Sequence, residues 1–144
     1  MPRVIATREL LAPRQDVWEF LAEPHNLADW WPGVHAIQPD RRGLAPGARW
    51  QLIAGPQTGG LVGAFVRRPE VAGTLTVMEV RQGEFLRLLF VTDHIDASLA
   101  IEPAREGHTR ATLAIDGPWL RVNLSLPRRA LNRLYALCQT GAES

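Results

Sequence analysis

Lysine is absent from this chain of 144 residues, because all 16 of its basic residues are arginine. Schiff-base chemistry on a lysine amine and a phosphate-binding loop with its lysine are therefore excluded. Cysteine occurs once, at Cys138, so the chain forms no internal disulfide and no metal site built from several cysteines. Serine occurs only at Ser98, Ser125 and Ser144, and none of them lies in the G-x-S-x-G turn of a hydrolase. The sequence therefore excludes enzymes that depend on a lysine Schiff base, a phosphate-binding loop, a multi-cysteine metal site or a G-x-S-x-G serine.

The charge balance and hydropathy favour neither a charged macromolecular partner nor a membrane span. The 16 basic residues face 15 acidic ones, for a formal net charge of +1, so we expect no nucleic-acid partner and no long-range attraction to an anionic membrane. No apolar run approaches the roughly 20 residues of a membrane span, since Leu86–Val91 already contains Arg87. The segment Met1–Ile5 lacks the apolar stretch of a secretion signal, so we expect a cytoplasmic protein.

The first third of the chain predicts one strand followed by two short helices. Val4–Leu11 is rich in β-compatible residues and predicts the strand. Pro13 suits the first turn of a helix because its missing N–H has no helical partner there. Pro24 opens a second short helix in the same way, and Pro32 ends it because proline disfavours the helical conformation of the residue before it.

The middle of the chain predicts a meander of short antiparallel strands, because apolar and polar residues alternate between tight turns. The predicted strands are Val34–Gln38, Arg49–Leu52, Thr74–Val80, Phe85–Thr92, Ile95–Glu102 and Thr109–Asp116. The segment Ala54–Gly73 is rich in glycine and fits either an extension of the hairpin, which we favour, or a flap.

The last segment supports two periodicities. Leu120–Leu126 alternates with period two, which favours a strand, whereas the apolar residues from Leu131 to Cys138 recur at helical spacing. We predict a single helix from Pro118 to about Gln139, bent near Pro127 where a backbone hydrogen bond is lost. An antiparallel sheet with one apolar face needs such a helix to cover it. The fold class is therefore α+β, with one domain over residues 1–140 and a tail over residues 141–144.

Several stretches resemble the START/Bet v 1-like (SRPBCC) superfamily, in its bacterial polyketide cyclase/dehydrase-like branch. These stretches are Glu9–Leu21, Asn26–Val34, Gly47–Trp50 and Gly107–Leu113. The resemblance implies the helix-grip fold, in which a curved antiparallel sheet of about seven strands wraps around a long C-terminal helix. It also implies an internal cavity for a hydrophobic or aromatic ligand such as a lipid or a polyketide. Relatives share no catalytic triad, so the catalytic residues stay unknown.

On this architecture, the predicted ligand-binding residues are those expected to face the cavity. They are Trp31, Trp50, Leu52, Val77, Leu88, Phe90, Leu99, Leu113, Asn123, Leu124, Leu131 and Tyr135. Trp18 and Trp30 are interpreted as core packing, because large aromatic side chains usually serve the core. Asn123 is the strongly polar side chain that borders the apolar stripe of the last helix, and a buried amide needs hydrogen-bond partners.

Three functions remain open at this level. The favoured hypothesis is a module that binds a small hydrophobic ligand, as a monomer or a homodimer, without a cofactor or metal. The first alternative is a cyclase/dehydrase-type enzyme that positions its substrate and uses one acid/base group. The second is a protein-interaction or chaperone-cofactor module. His94 and Asp96 resemble a base and its orienting carboxylate, but the apolar residues of that strand occupy its other face, so we expect a surface pair.

Overall fold

The computed structural model describes residues 3–32, 34–53, 71–118 and 124–143. Its elements follow the chain order strand, short helices, meander and long helix. They are β1 (Arg3–Leu10), α1 (Arg14–Ala22), a 3-10 turn (Pro24–Asn26), α2 (Leu27–Trp30), β2 (Ala36–Gln38), β3 (Arg49–Ile53), β4 (Val71–Arg81), β5 (Phe85–Phe90), β6 (Ile95–Pro103), β7 (Thr109–Asp116) and α3 (Leu126–Glu143).

The described strands form one seven-stranded antiparallel sheet in the order β1-β7-β6-β5-β4-β3-β2. Strand β1 therefore pairs with the last strand, from Arg3 opposite Asp116 to Leu10 opposite Thr109. Helix α3 packs against β1, β7 and α2. The sheet, the helix that covers it and the two short helices after β1 make up the predicted helix-grip fold.

Alternation along each strand decides which face of the sheet becomes the core. In β6, Ile95, Ala97, Leu99 and Ile101 are buried, and the residues between them are only partly buried. The same period of two appears in β5, where apolar residues alternate with Phe85, Arg87 and Leu89. Because successive side chains point to opposite faces, one face of the sheet is apolar and needs α3 as its cover.

The pairing of β3 with β4 is irregular next to a glycine. Leu52 lies opposite Gly73 whereas Ile53 lies opposite Val71, so the register shifts between them. A Cβ atom on Gly73 would lie 2.7 Å from Oγ1 of Thr92, a hydroxyl that accepts a hydrogen bond from the backbone N–H of Thr74 at 3.3 Å. The close approach of the turn that carries Thr92 therefore explains the glycine at this position.

Helix α3 differs from the predicted C-terminal helix at both ends. It begins at Leu126, whereas Pro118 lies in an irregular segment and Leu124 and Ser125 form a turn. The first helical hydrogen bond runs from the N–H of Arg129 to the carbonyl of Ser125 at 2.9 Å. Pro127 thus lies in the first turn, where its missing N–H costs no helical bond, and it causes no bend. The helix also runs on to Glu143, through most of the predicted tail.

The remaining differences from the predicted elements are short. Strand β2 begins at Ala36 instead of Val34, β5 ends at Phe90 instead of Thr92, and β4 is longer than predicted at both ends. The alternatives for Ala54–Gly73 fall mostly on residues 54–70, which lie outside the described residues. Within the described ranges, no helix combines the length and hydropathy that a membrane crossing requires.

Candidate functional site

Most of the predicted ligand-binding residues lie together in the interior between the sheet and α3. The members that are no more than 6% exposed and belong to one apolar cluster are Trp31, Trp50, Leu52, Val77, Leu88, Phe90, Leu99, Leu113 and Leu131. They come from the residue that follows α2, from strands β3 to β7 and from α3, so residues distant in sequence are brought to one place. Their contact with a ligand stays a prediction.

One predicted residue, in the turn before the last helix, does not join this cluster. Leu124 is 70% exposed in the turn before α3, so the prediction that it faces the interior is wrong. The reason is that α3 begins at Leu126, which leaves Leu124 outside the helical stripe that Leu131 and Leu134 form. Asn123 lies outside the described residues.

An aromatic group closes one part of the interior. The ring of Trp31 stacks on Phe90 of β5, with centroids 4.6 Å apart and an angle of 21° between the planes. Trp30, interpreted from the sequence as core, meets Trp31 edge to face at 5.6 Å and 80°. Both geometries are favourable for aromatic quadrupoles. Trp31 thereby links the end of α2 to the inner face of the sheet.

The indole of Trp50 is held by the loop between β2 and β3. Its Nε1–H donates a hydrogen bond of 2.9 Å to the carbonyl of Gly43, and its side chain is buried. The carboxylate of Asp40 holds the same loop, because it accepts hydrogen bonds from the backbone N–H groups of Arg42 and Arg49. These hydrogen bonds lower the pKa of Asp40, and the bond from the N–H of Arg49 has the largest effect. Trp50 thus presents an apolar ring to the interior, with its donor already satisfied.

The described interior contains very little polarity. Among residues whose burial the structure describes, Thr109 is the fully buried polar side chain. Its hydroxyl donates a hydrogen bond of 2.7 Å to the carbonyl of Ala12, at the entry to α1. This bond ties β7 to α1 and leaves no free donor for a ligand, since a hydroxyl carries a single hydrogen.

Tyr135 lies at the margin of the interior, where α3 meets β1. The tyrosine is half-buried, and the guanidinium of Arg8 lies 3.9 Å from the centre of its ring. Arg8 also donates a hydrogen bond from Nη1 to Oδ1 of Asn132. The face of the tyrosine ring is therefore occupied by a cation of the protein itself.

The carboxylate of Asp96 is paired with Arg87 and not with His94. Asp96 accepts hydrogen bonds from Nη2 of Arg87 at 2.6 Å and from Nε at 3.0 Å, and this pairing raises the pKa of Arg87. Both side chains are partly exposed on the outer face of the sheet. His94 lies in the preceding turn with a φ of 56°. The predicted surface location is confirmed, but the carboxylate serves the arginine of the neighbouring strand.

Sequence reasoning assigned no role to His108, which the structure places beside Glu9. Its Nδ1 lies 3.6 Å from Oε2 of Glu9 and makes no hydrogen bond, and Arg105 approaches the same carboxylate at 3.5 Å. These groups lie where β1 ends and β7 begins. Within the described ranges, no three histidine, cysteine or carboxylate side chains gather as metal ligands.

Solved structures with the same fold come from several bacteria. Protein NE0264 from Nitrosomonas europaea is 18% identical, with 99% of this chain and 97% of that chain covered and a TM-score of 0.71. Protein XoxI from Bacillus cereus is 10% identical, with 99% of both chains covered and a TM-score of 0.70. Protein TTHA0849 from Thermus thermophilus is 14% identical, with 98% and 99% covered and a TM-score of 0.69. At these identities the likeness shows the fold alone.

The sequence itself matches one protein-family model over nearly its whole length. The model is described as polyketide cyclase / dehydrase and lipid transport, and the match covers residues 1–138. No curated protein matches the chain. The family match spans every described strand and most of α3, in agreement with the structural likeness. The chain therefore belongs to the polyketide cyclase/dehydrase and lipid transport family.

Proposed function

We propose that this protein binds a small hydrophobic or aromatic molecule between the inner face of the sheet and α3. The observation that carries the proposal is the chemistry of the described interior, which is apolar and aromatic apart from Thr109, a residue already bonded to Ala12. A polar ligand would lose its hydration there without gaining hydrogen bonds from these groups, which costs several kcal/mol per group. An apolar ligand pays no such penalty.

The aromatic group supports a flat or partly unsaturated ligand. Trp31 and Phe90 already stack at 4.6 Å, so a further ring or conjugated chain placed against the outer face of either one extends the stack in a favourable arrangement. The tryptophan approaches from α2 and the phenylalanine from β5, which makes this pair a junction between the helical end and the sheet. We propose it as the principal contact of the ligand.

The enzyme alternative has no specific observation in its favour among the described residues. It needs a polar side chain in the interior to hold the substrate, and Asn123, one of the candidates for that contact, lies outside those residues. Tyr135 is covered by Arg8 at the junction of α3 and β1, and Arg87 is paired with Asp96 on the outer face of the sheet. The family description combines cyclase/dehydrase with lipid transport, so it supports a hydrophobic ligand in either case.

The interaction-module alternative also lacks support. It predicts a continuous exposed apolar patch, whereas the large apolar side chains exposed in the described part of the chain belong to separate elements. They are Ile5 on β1, Met78 on β4, Val91 in the turn after β5 and Leu124 before α3.

Native mass spectrometry of the protein purified without denaturant tests the proposal, together with displacement of a fluorescent fatty acid by unlabelled lipids and flat aromatic compounds. The informative variant is Ala97→Leu, which adds volume to the inner face of β6 where Ala97 is buried. The matched control is Ser98→Leu, which adds a larger side chain at the neighbouring position on the other face of the strand.

If a ligand occupies the interior, Ala97→Leu weakens its binding at least about tenfold and the folded protein tolerates the added volume. Ser98→Leu leaves the binding unchanged. The proposal is overturned if the wild-type protein binds none of the probes while Ala97→Leu destabilises it by about 1–3 kcal/mol, the cost of overfilling a solid core.

A further inference from the structure

The exposed face of α3 is strongly basic in its N-terminal half. Arg128, Arg129 and Arg133 are all exposed there, and no acidic residue occupies the first turn. The face opposite them, with Ala130, Leu131 and Leu134, is buried. Among the ion pairs of the described residues, none involves these three arginines. Their charge is therefore not cancelled within the described part of the protein.

This arrangement works against the stability of the helix. The N-terminal end of a helix carries a partial positive charge, so arginines in its first turns are disfavoured. Arg129 and Arg133 are four residues apart, and like charges at this spacing repel each other. Sequences that break a local rule without a gain in stability do so most often where function requires it.

Strand β1 extends the basic face with one more arginine. Arg8 donates a hydrogen bond to Asn132, which is exposed on α3 between Arg128 and Arg133. It also covers the ring of Tyr135. Both partners are uncharged, so they position the guanidinium beside the helix without neutralising it.

An exposed aliphatic side chain lies in the turn that precedes the helix carrying these arginines. Leu124, in the turn directly before α3, is 70% exposed, more than any other large apolar side chain among the described residues. It precedes Arg128 by four residues. A polyanion such as nucleic acid is held by its phosphates, whereas an anionic bilayer takes up both features, because its headgroups attract arginine and its acyl boundary accepts leucine.

We propose that Arg8, Leu124, Arg128, Arg129 and Arg133 form a docking surface for an anionic lipid bilayer. The arginines bind the headgroups and Leu124 enters the boundary with the acyl chains. This inference goes beyond the proposed ligand binding and does not depend on it. The near-neutral net charge of the chain means that the attraction is local to this surface.

Flotation with lipid vesicles tests the docking surface. The vesicles are made of phosphatidylcholine alone or of phosphatidylcholine mixed with phosphatidylglycerol. The variant Arg128→Gln/Arg129→Gln/Arg133→Gln is compared with Arg14→Gln/Arg41→Gln/Arg110→Gln, which removes the same charge from exposed positions elsewhere. We expect the wild-type protein and the control to bind the vesicles that contain phosphatidylglycerol and not those of phosphatidylcholine alone. This binding should weaken as salt is added. The affinity of the α3 variant for the anionic vesicles should be about a hundredfold lower, because each arginine contributes about fivefold.

A second pair of variants separates a bilayer from other polyanions. Leu124→Thr removes the inserted side chain, and Ile5→Thr removes an exposed aliphatic side chain from β1. We expect Leu124→Thr to weaken vesicle binding about threefold or more, with no effect from Ile5→Thr. The proposal is overturned if the two triple variants bind vesicles alike. It is equally overturned if Leu124→Thr has no effect while the protein binds duplex DNA as tightly as anionic vesicles.

Discussion

At the scale of single residues, Thr109 shows how one buried polar group joins two elements. Its hydroxyl satisfies the carbonyl of Ala12 at 2.7 Å, in a place without exposure to solvent. Valine has nearly the same shape but no hydroxyl, so Thr109→Val leaves that carbonyl without this partner. We expect a loss of about 1–3 kcal/mol in the free energy of unfolding, measured by urea denaturation.

The control for this prediction is Thr109→Ser, which keeps the hydroxyl and removes one methyl group. We expect it to cost about 1 kcal/mol, less than the valine variant. If the hydrogen bond were unimportant, the order would be reversed, because valine preserves the buried apolar volume better than serine does. If the Thr109→Val variant is as stable as the wild-type protein, the role assigned to the hydroxyl is wrong.

Cys138 is expected to be chemically inert at neutral pH. Burial, together with the smaller effect of the charge of Asp16, raises the pKa of its thiol to about 11. Because the thiolate is the reactive form, we expect the folded protein to react with a disulfide reagent at pH 8 about a hundredfold more slowly than the urea-unfolded chain. The reaction rate of the folded protein should still rise above pH 9.

The sign of this shift also fixes how Cys138 affects stability. The folded pKa lies above the ordinary value of 9.0, so the contribution of the neutral thiol is complete below the unfolded pKa and is lost as the pH rises towards about 11. A reaction rate in the folded protein that levels off near pH 9 would show that the thiol is not shielded in this way.

At the scale of elements, strands were predictable where a single periodicity applied. The alternation in β6 and β7 predicts both the strands and their buried faces, because a period of two has one structural solution. The start of α3 could not be predicted in this way, because Leu120–Leu126 fits a period of two and also continues the helical stripe of Leu131 and Leu134. Nothing local to that segment decides between them.

Pro127 provides the test of where α3 begins. In the structure it lies fully buried in the first turn of the helix. There the ring causes no loss of a hydrogen bond, and its packing and its restriction of the unfolded chain both stabilise the protein. We therefore expect Pro127→Ala to lower the free energy of unfolding by about 1–2 kcal/mol.

The opposite result is expected if the helix runs through this position from Pro118. Proline inside a helix costs about 3 kcal/mol, so its replacement by alanine would then stabilise the protein. Pro118→Ala is a suitable comparison, since Pro118 lies in an irregular segment outside the helix. The sign of the change at Pro127, measured by denaturation, decides between the two helices.

At the scale of the whole molecule, the candidate site was only partly predictable. Alternation in the strands identifies Leu88, Phe90 and Leu99 as inward-facing, and the structure buries them together. The stacking of Trp31 on Phe90 and the contact of Arg8 with Tyr135 join residues far apart in sequence. No local pattern encodes such pairs, because they depend on how α2 and α3 are placed against the sheet.

The two ends of the chain are joined in one unit. Strand β1 pairs with β7 along its whole length, and α3 covers both of them. The buried residues of α3, including Leu131 and Leu134, belong to the same apolar cluster as the residues of β3 to β6. Separating the helix from the sheet would expose the cluster on both sides, so neither part retains a core of its own.

We therefore expect the chain to unfold in one cooperative transition. Tryptophan fluorescence reports on the cluster around Trp31 and Trp50, and far-ultraviolet circular dichroism reports on the sheet and α3. The midpoints of the two signals in urea should coincide. A chain shortened to end at residue 124 should lose the transition, because it removes the cover of the apolar face. Midpoints that differ, or a shortened chain that still unfolds cooperatively, would show that the sheet has a stable core without α3.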